Sequence, residues 1–268
     1  MPGTYEKLSD GATVPRIADP TAVTSGGLDA AVRALPPVTV GSRVVRTGDA
    51  AGVSPRRREC AVYARSTTIQ ARLESIDAGV AFCRDEVMPQ LASMPGCLGL
   101  SLLVDRSLGQ CITTSSWESV EAMRASESPV LGIRNRAGEI LGGRPEVQEW
   151  EIALLHRKHA AASGAGARVT WLKADPSMTD RAIDVMRLAV VPRVDELAGF
   201  CSISVFVDRA TGMACITATY DDMATLEASR GTAATLRTSV TEEVPGSEVQ
   251  EVAEFELALA HLHVPETV

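Results

Sequence analysis

The feature that most constrains the fold of this chain is an internal repeat. Residues 87–134 align without gaps with residues 190–237 at an offset of 103, and about 12 of the 48 positions are identical where chance gives two or three. The closing segments also match, since WEIALLH at 150–156 parallels FELALAH at 255–261. A period near 100 residues is too long for a solenoid repeat. The sequence therefore predicts a duplicated domain.

Each copy changes its hydrophobic period in the same order. In copy one, a β-branched stretch at 60–71 is followed by helical spacing of apolar residues at 76–91 and by strict alternation at 98–104. The elements that follow are a hairpin turn at 105–109, a helical region at 118–140 and a closing strand at 147–156. Both copies therefore predict the order β-α-β-β-α-β, the ferredoxin-like split βαβ arrangement.

Composition marks the boundaries of the domains. Residues 1–57 are rich in Pro, Gly, Ala, Ser and Thr and show no sustained period, which predicts a disordered or extended arm with one short helix candidate at 28–35. The segment HAAASGAGA at 159–167 has the composition of a linker. We therefore expect the first ferredoxin-like half at 58–158 and the second at 168–268.

Charge and hydropathy exclude several classes of protein. The 268 residues are 45% apolar and 22% charged, the balance of a globular chain, and the net charge of −8 disfavours nucleic acid or an anionic membrane as a partner. No apolar run approaches the roughly 20 residues of a membrane span, and no signal peptide is evident, so we expect a cytoplasmic protein. The six cysteines form no C-x-x-C motif, which favours free thiols.

Residues 60–264 carry a resemblance. The Pro-Gly break after the first helix, the Asp-Arg-x-x-Gly hairpins and the aromatic strand ends at Trp117-Glu118 and Tyr220-Asp221 resemble the dimeric α/β-barrel superfamily, which includes antibiotic-biosynthesis-type monooxygenases and haem-degrading enzymes. The tandem pattern is similar to a mycobacterial family of two-copy proteins without assigned chemistry. The resemblance implies an α+β fold in which two tandem ferredoxin-like domains face each other and form an intramolecular dimeric α/β-barrel.

The resemblance also sets expectations for chemistry. Monooxygenases of this type are taken to hold an aromatic substrate with an Asn on strand one and a Trp near the end of strand three. Trp117 matches the second position, but the only asparagine is Asn135, outside strand one. Haem-degrading members add a His on the following helix, where this chain has Ser126 and Ser229. We therefore expect no haem and no other cofactor.

Four matched pairs of residues are candidates for ligand binding, and none is identified as catalytic. The aromatic pair, Trp117 and Tyr220, could stack on a planar ligand or simply close the core. The imidazoles of His156 and His261 could act as ligands or bases, or end an amphipathic strand. Four hydroxyls could line the barrel cavity or serve only as good strand residues. These are Ser101, Ser204, Thr114 and Thr217.

The remaining histidines do not predict a metal centre. His156 stands near His159, and His261 near His263, yet no carboxylate or thiol occurs at matching spacing in both copies. Because a metal site needs three or four converging ligands, we expect none.

Two sets of matched arginines could have either a structural or a functional role. The Asp-Arg pairs at 105–106 and 208–209 begin predicted hairpins, so each Asp is expected to cap its own turn and each Arg to remain solvated. Arg134 and Arg237 align late in the second helix of each copy. They could pair with helix carboxylates or contact an anionic ligand, and both alternatives stay open.

Two functions from different classes fit these patterns. The first is a small-molecule-binding barrel protein, with cofactor-independent monooxygenase activity toward an aromatic or hydrophobic metabolite as its candidate chemistry. The alternative is a noncatalytic scaffold or oligomer-forming protein that binds a partner through the arm at 1–57, and self-association is compatible with both. The missing strand-one Asn and helix His favour the alternative.

Overall fold

A computed structural model describes residues 5–7, 13–15, 61–262 and 264–266. The chain divides into two units, Met1–Gly52 and Val53–Val268. In the first unit, strand β1 (Tyr5–Lys7) pairs antiparallel with strand β2 (Thr13–Pro15). The rest of the arm predicted at 1–57, with its helix candidate, lies outside the described residues.

Both halves of the second unit follow the predicted order of elements. The described elements of the first half are β3 (Val62–Gln70), α1 (Ile76–Phe82), α2 (Met88–Ala92), β4 (Cys97–Val104), β5 (Gln110–Trp117), α3 (Val120–Ala125), α4 (Glu127–Leu141) and β6 (Glu146–Arg157). Those of the second half are β7 (Ala165–Lys173), α5 (Thr179–Val185), α6 (Val191–Asp195), β8 (Phe200–Asp208), β9 (Met213–Tyr220), α7 (Met223–Ala228), α8 (Arg230–Glu243) and β10 (Glu248–Leu262). Among the helices of this described part, none combines the length and apolar character needed to cross a bilayer.

The first helical layer of each half contains a π-helical turn. It joins α1 to α2 at Cys83–Val87 and α5 to α6 at Met186–Val190. Pro89 and Pro192 follow two residues later, in the first turn of α2 and α6. Proline has no amide hydrogen and its ring clashes with the carbonyl four residues earlier, so a wider turn just before it accommodates the ring. The turn recurs at the offset of the repeat and belongs to the duplicated unit.

The strands of both halves form one closed antiparallel barrel in the order β10-β4-β5-β3-β6-β8-β9-β7. Within each half the first strand lies between the third and the fourth, as in a ferredoxin-like sheet. The closing strand of each half pairs with the second strand of the other, β6 with β8 and β10 with β4. These two seams leave no edge strand in the barrel unpaired. The predicted fold class, an intramolecular dimeric α/β-barrel, is confirmed.

Apolar side chains fill both faces of the barrel wall. Leu100, Leu102 and Val104 of β4 pack under the helices of the first half, while Leu103 belongs to a separate cluster with Phe255 in the barrel interior. Successive strand residues point to opposite faces, so one alternating strand supplies both layers. The core therefore has two helix-covered layers outside and two smaller apolar clusters inside the barrel.

The hairpin aspartates cap their own turns as predicted, and the neighbouring arginines form additional contacts. Asp105 Oδ1 accepts hydrogen bonds from two backbone amides of its own turn. Both arginines are exposed, as predicted, but each also forms an ion pair that the sequence did not indicate. Arg106 Nε donates to Glu256 Oε2 at 2.7 Å and Arg209 Nε donates to Glu151 Oε2 at 2.7 Å. Each arginine joins a hairpin of one half to the closing strand of the other, so both seams carry an ion pair.

The segment between the halves is shorter than the predicted linker. Strand β6 runs to Arg157 and β7 begins at Ala165, so residues 165–167 of the predicted linker lie in a strand. Ala165 and Ala167 are small, fully buried and paired with β10. Composition alone cannot separate such residues from a flexible Gly-Ala linker.

Candidate functional site

A cavity of about 230 Å³ lies inside the barrel. Strands from both halves line it, because the inward positions of β4, β5, β8 and β9 carry small polar residues where a filled barrel would carry large apolar ones. Seven hydroxyl side chains face this space. They are Ser101, Thr114, Ser116, Ser202, Ser204, Thr217 and Thr219.

All four hydroxyl candidates from the sequence line this cavity as two matched pairs. Ser101 lies opposite Thr114 on adjacent strands, and Ser204 lies opposite Thr217. Among the described residues, the rest of the lining is apolar apart from Arg157, the one ionisable side chain they contribute. The cavity can therefore donate and accept hydrogen bonds, but the side chains that line it offer no carboxylate, imidazole or thiol for general acid–base catalysis.

The two aromatic candidates face away from this cavity. Trp117 and Tyr220 are almost fully buried on the helix-covered face of the sheet. Trp117 Nε1 donates to Ser115 Oγ at 3.0 Å, and the Tyr220 ring meets the edge of Phe200 at 6.0 Å between centroids. Both residues are core aromatics in this structure. The sequence candidates therefore divide between two faces of the sheet.

The two histidine candidates lie at the seams. His156 Nε2 contacts Asp195 Oδ1 at 3.0 Å, and its ring stacks on Phe200 with centroids 6.3 Å apart. His156 therefore links strand β6 of the first half to helix α6 of the second. His261 is exposed on β10 at the corresponding position. The residue that corresponds to Asp195 in the first half is Ala92, so this carboxylate is not repeated.

Sequence reasoning missed a buried arginine on the first strand of each half. Arg65 Nη1 donates to Ser126 Oγ at 3.1 Å and Nη2 to the Met123 carbonyl at 3.0 Å. Arg168 makes the same two contacts with Ser229 and Leu226, both at 2.8 Å. Ser126 and Ser229 thus each hold a buried arginine of the first strand in place. The usable signal was the shared offset of 103 between the two arginines.

Each half also has a small cavity between its helices and its sheet, of about 50 Å³ in the first and about 60 Å³ in the second. The two cavities are lined by corresponding residues, including one late-helix arginine each, Arg134 and Arg237. Their chemistry differs, because three polar or thiol positions of the first are apolar in the second. The pairs are Cys83 and Met186, Thr113 and Ile216, and Ser115 and Ala218.

In the first half, the late-helix arginine has a carboxylate partner. Glu127 Oε1 accepts from Arg134 Nη1 at 2.9 Å, while its Oε2 lies 3.2 Å from Arg65 Nη1. The bond from Arg134, followed by the charges of Arg134 and Arg65, lowers the pKa of Glu127. One carboxylate therefore bridges two guanidinium groups, and the first of the two alternatives for Arg134 is the one observed.

In the second half, the corresponding arginine, Arg237, has no carboxylate at the position of Glu127. Arg230 occupies the position of Glu127 and binds Glu254, with Nη2 to Oε2 at 2.6 Å, while Glu227 occupies the position of Arg124. Arg237 is half-buried and forms no ion pair with any residue in the described part of the chain. Burial and the nearby charge of Arg168 lower its pKa.

Comparison with known proteins finds close relatives by sequence. No protein-family model matches the chain. It is 50% identical over 224 residues to the uncharacterised Mycobacterium tuberculosis protein Rv2557, a match that covers 83% of this chain and 100% of the relative. The same identity over 224 residues relates it to Rv2558 of that organism, with 83% of this chain and 94% of the relative covered.

Solved structures resemble the barrel at much lower identity. FN1347 of Fusobacterium nucleatum, a proposed monooxygenase, has a TM-score of 0.60 at 13% identity and covers 76% of this chain and 95% of its own. An anthrone oxidase-like protein has a TM-score of 0.54 at 12% identity and covers 77% of this chain and 95% of its own. Likenesses at this identity establish the fold, a ferredoxin-like α/β-barrel, and say nothing of activity or substrate.

Proposed function

Because the chain belongs to the family of the Mycobacterium tuberculosis proteins Rv2557 and Rv2558, we propose for it a function that rests on the barrel interior. The protein binds a small hydrophobic metabolite there, aromatic and carrying hydroxyl or carbonyl groups. The observation that supports this most is the set of seven hydroxyls, drawn from both halves, around a cavity of about 230 Å³. An apolar wall with a few converging polar groups is the usual character of a ligand site.

The size and chemistry of the cavity limit the ligand. Pockets for drug-sized molecules span roughly 300–1,000 Å³, so a molecule of one or two rings is the expected occupant. Leu103, Ile152 and Phe206 supply apolar contact, and the hydroxyl pairs supply donors and acceptors. A strongly charged ligand is not favoured, because Arg157 is the only charged side chain of the lining.

Cofactor-independent oxygenase activity is the second candidate. Its support is the likeness in fold to FN1347 and to the anthrone oxidase-like protein, both named for oxidation chemistry. Against it, Trp117 lies on the outer face of the sheet, and Asn135 is exposed on helix α4 rather than placed on strand one. The scaffold function through the arm at 1–57, self-association and a cytoplasmic location stay predictions.

The test is a thermal-shift screen of the purified full-length chain against one- and two-ring aromatic metabolites. We expect at least one compound to raise the Tm, because a ligand that binds only the folded state stabilises it. The double variant Ser101→Leu/Ser204→Leu fills the cavity from both halves and should abolish that shift. Thr217→Val keeps the side-chain volume, removes one hydroxyl and should weaken binding.

The matched control is Ser128→Leu, which adds the same side chain at an exposed position of helix α4. It should leave every ligand-induced shift unchanged. The proposal is wrong if no compound shifts the Tm and native mass spectrometry finds no co-purified ligand. It is equally wrong if the filled double variant, still folded, retains the full shift.

A further inference from the structure

Three side chains with different ligand atoms meet beside the segment that joins the halves. His159 follows strand β6, Cys201 lies near the start of β8, and Asp221 follows β9. His159 Nε2 lies 2.7 Å from Asp221 Oδ1, and Cys201 Sγ lies 3.4 Å from the same oxygen. The three ligand atoms all fall within 4.8 Å of one another.

We propose that His159, Cys201 and Asp221 form a binding site for a zinc ion. Imidazole nitrogen, thiolate sulfur and carboxylate oxygen are the protein ligands that Zn²⁺ uses, with bonds of roughly 2.0–2.3 Å. Tetrahedral geometry at those bond lengths places neighbouring ligand atoms roughly 3.2–3.8 Å apart. The observed contacts of 2.7 and 3.4 Å are close to that range, so small side-chain rotations suffice.

The surroundings are suited to such a site. Cys201 is fully buried, whereas the side chains of His159 and Asp221 are 45% and 53% exposed. The two outer ligands thus cover the thiol, and the fourth position of the ion faces solvent, where a water molecule completes the tetrahedron. With a thiolate, a carboxylate and a neutral imidazole, the charge of Zn²⁺ is balanced. Binding transfers the thiol proton of Cys201 to solvent.

The backbone around each ligand is already fixed. The amides of Lys158 and His159 donate to the Cys201 carbonyl at 2.8 and 3.3 Å, and the Asp221 amide donates to the Gly199 carbonyl at 2.8 Å. Sites whose ligands are held by such contacts lose little conformational entropy when the ion binds. Since Ala160 and Ala161 line the barrel cavity, the ion would also anchor the segment at its rim.

The arrangement does not fit a nucleophilic triad. In a Cys-His-Asp triad the imidazole stands between the thiol and the carboxylate and takes the proton of the thiol. Here Asp221 stands between Cys201 and His159. Burial, together with the neighbouring Asp221, raises the pKa of Cys201 to about 12, so the metal-free thiol is not a nucleophile.

The first half lacks this set, which supplies the variants for a test. The positions that correspond to Cys201 and His159 are Leu98 and Val264, and both pack in one apolar cluster. Cys201→Leu and His159→Val therefore each introduce a residue that the fold already holds at the equivalent place. Cys201→Ser, which changes a single atom, is the second variant at the buried position should leucine prevent folding.

The experiment is a ZnCl₂ titration of the chelator-treated full-length chain against a fluorescent zinc indicator. We expect one tight equivalent, release of about one proton per ion from the thiol, and a thiolate charge-transfer band when Co²⁺ replaces Zn²⁺. Each of the variants at 201 and 159 should lower the affinity about tenfold or more. His156→Ala removes the other histidine–aspartate contact, that with Asp195, and should change nothing.

Two results would overturn the proposal. One is the absence of a stoichiometric site in the wild-type chain at micromolar ZnCl₂. The other is an affinity that stays the same in folded Cys201→Ser and His159→Val proteins. Neither result bears on the barrel cavity, whose ligand is tested separately with uncharged aromatic molecules.

Discussion

The two halves keep the same buried arginine but arrange the charges around it differently. In the first half, Glu127 bridges Arg65 and Arg134. In the second, Arg230 stands at the position of Glu127, and Arg237 has no ion pair among the described residues. Arg124 and Glu127 of the first half correspond to Glu227 and Arg230 of the second. The repeat has thus tolerated an exchange of the acidic and the basic residue between these two positions. The buried arginine, which both halves keep, is a requirement of the fold. The charged residues around it differ between the halves, so those positions have been free to diverge.

The largest effect should come from the feature that the halves share. Arg65→Met and Arg168→Met each remove the two contacts that tie the first strand to the break between paired helices. Each buried carbonyl keeps only the donor of its serine hydroxyl, and Glu149 or Glu254 loses its ion pair with the buried arginine, so each variant should cost about 2–3 kcal/mol of unfolding free energy. Urea unfolding measures it, with the exposed Arg136→Met as control. A cost below about 1 kcal/mol in either half would contradict an equivalent role.

A smaller effect should follow from copying the second half into the first. Glu127→Arg leaves Arg65 and Arg134 facing a third positive charge. Because the Glu127 side chain is about half exposed, solvent screening limits the cost to about 1–2 kcal/mol. An unchanged urea midpoint would show that the bridge contributes nothing.

The same bridge predicts a pH dependence. Arg134, and then Arg65, lower the folded-state pKa of Glu127, so its contribution to stability is complete above its ordinary pKa of 4.5 and is lost as the pH falls through the lower folded value. The stability difference between wild type and Glu127→Gln should therefore be constant near neutrality and shrink below pH 4.5. A difference that grows on acidification would have the wrong sign.

The reverse exchange should have a modest stabilising effect. The double variant Glu227→Arg/Arg230→Glu gives the second half the charge order of the first and offers Arg237 a carboxylate. We expect a gain of about 0.5–1 kcal/mol, the upper range for partly exposed ion pairs. Of the two single variants, Glu227→Arg is the control, since it changes the net charge without placing a carboxylate beside Arg237. Arg230→Glu alone supplies that carboxylate but also removes the ion pair between Arg230 and Glu254. A double variant less stable than both single variants would show that a carboxylate at position 230 does not act as Glu127 does in the first half.

The smallest effect is expected at the seams, where the halves are alike. Arg106→Ala and Arg209→Ala each remove two partly exposed ion pairs, one across the seam and one within the same half. Each should cost about 0.5 kcal/mol or less, and the loss should shrink in high salt. Thermal unfolding at low and high ionic strength measures this. A loss above about 2 kcal/mol in one variant alone would show that the seams are not equivalent.

Much of the fold was predictable because it depends on local period and on the repeat. The order of elements and the capping role of Asp105 follow from residues that are close in sequence. The partners of the seam arginines do not, since Arg106 and Glu256 are 150 residues apart. The pairing of the closing strand of one half with the second strand of the other is a long-range contact, so it can be read only from the closed barrel.

The candidate site was predictable in part. The matched hydroxyls of the cavity were found because both halves carry them. Trp117 was a candidate for stacking on a ligand or for closing the core. It stands three residues from Thr114 on strand β5, so strand alternation places it on the opposite face from Thr114 and Ser101. The cluster of His159, Cys201 and Asp221 was missed, because a metal site was expected to repeat in both copies and only the second half supplies the cysteine and the aspartate.

Closure of the barrel through two seams within a single polypeptide has a further consequence. A ring built from two separate subunits falls apart on dilution, whereas here the partner sheets are held at a high effective concentration by a short tether. Fusion also lets the two sheets diverge in sequence. In a homodimer every substitution appears in both sheets, whereas in this chain it appears in one. Arg237 has no ion pair among the described residues although its counterpart Arg134 has one, and two identical subunits could not keep such a difference.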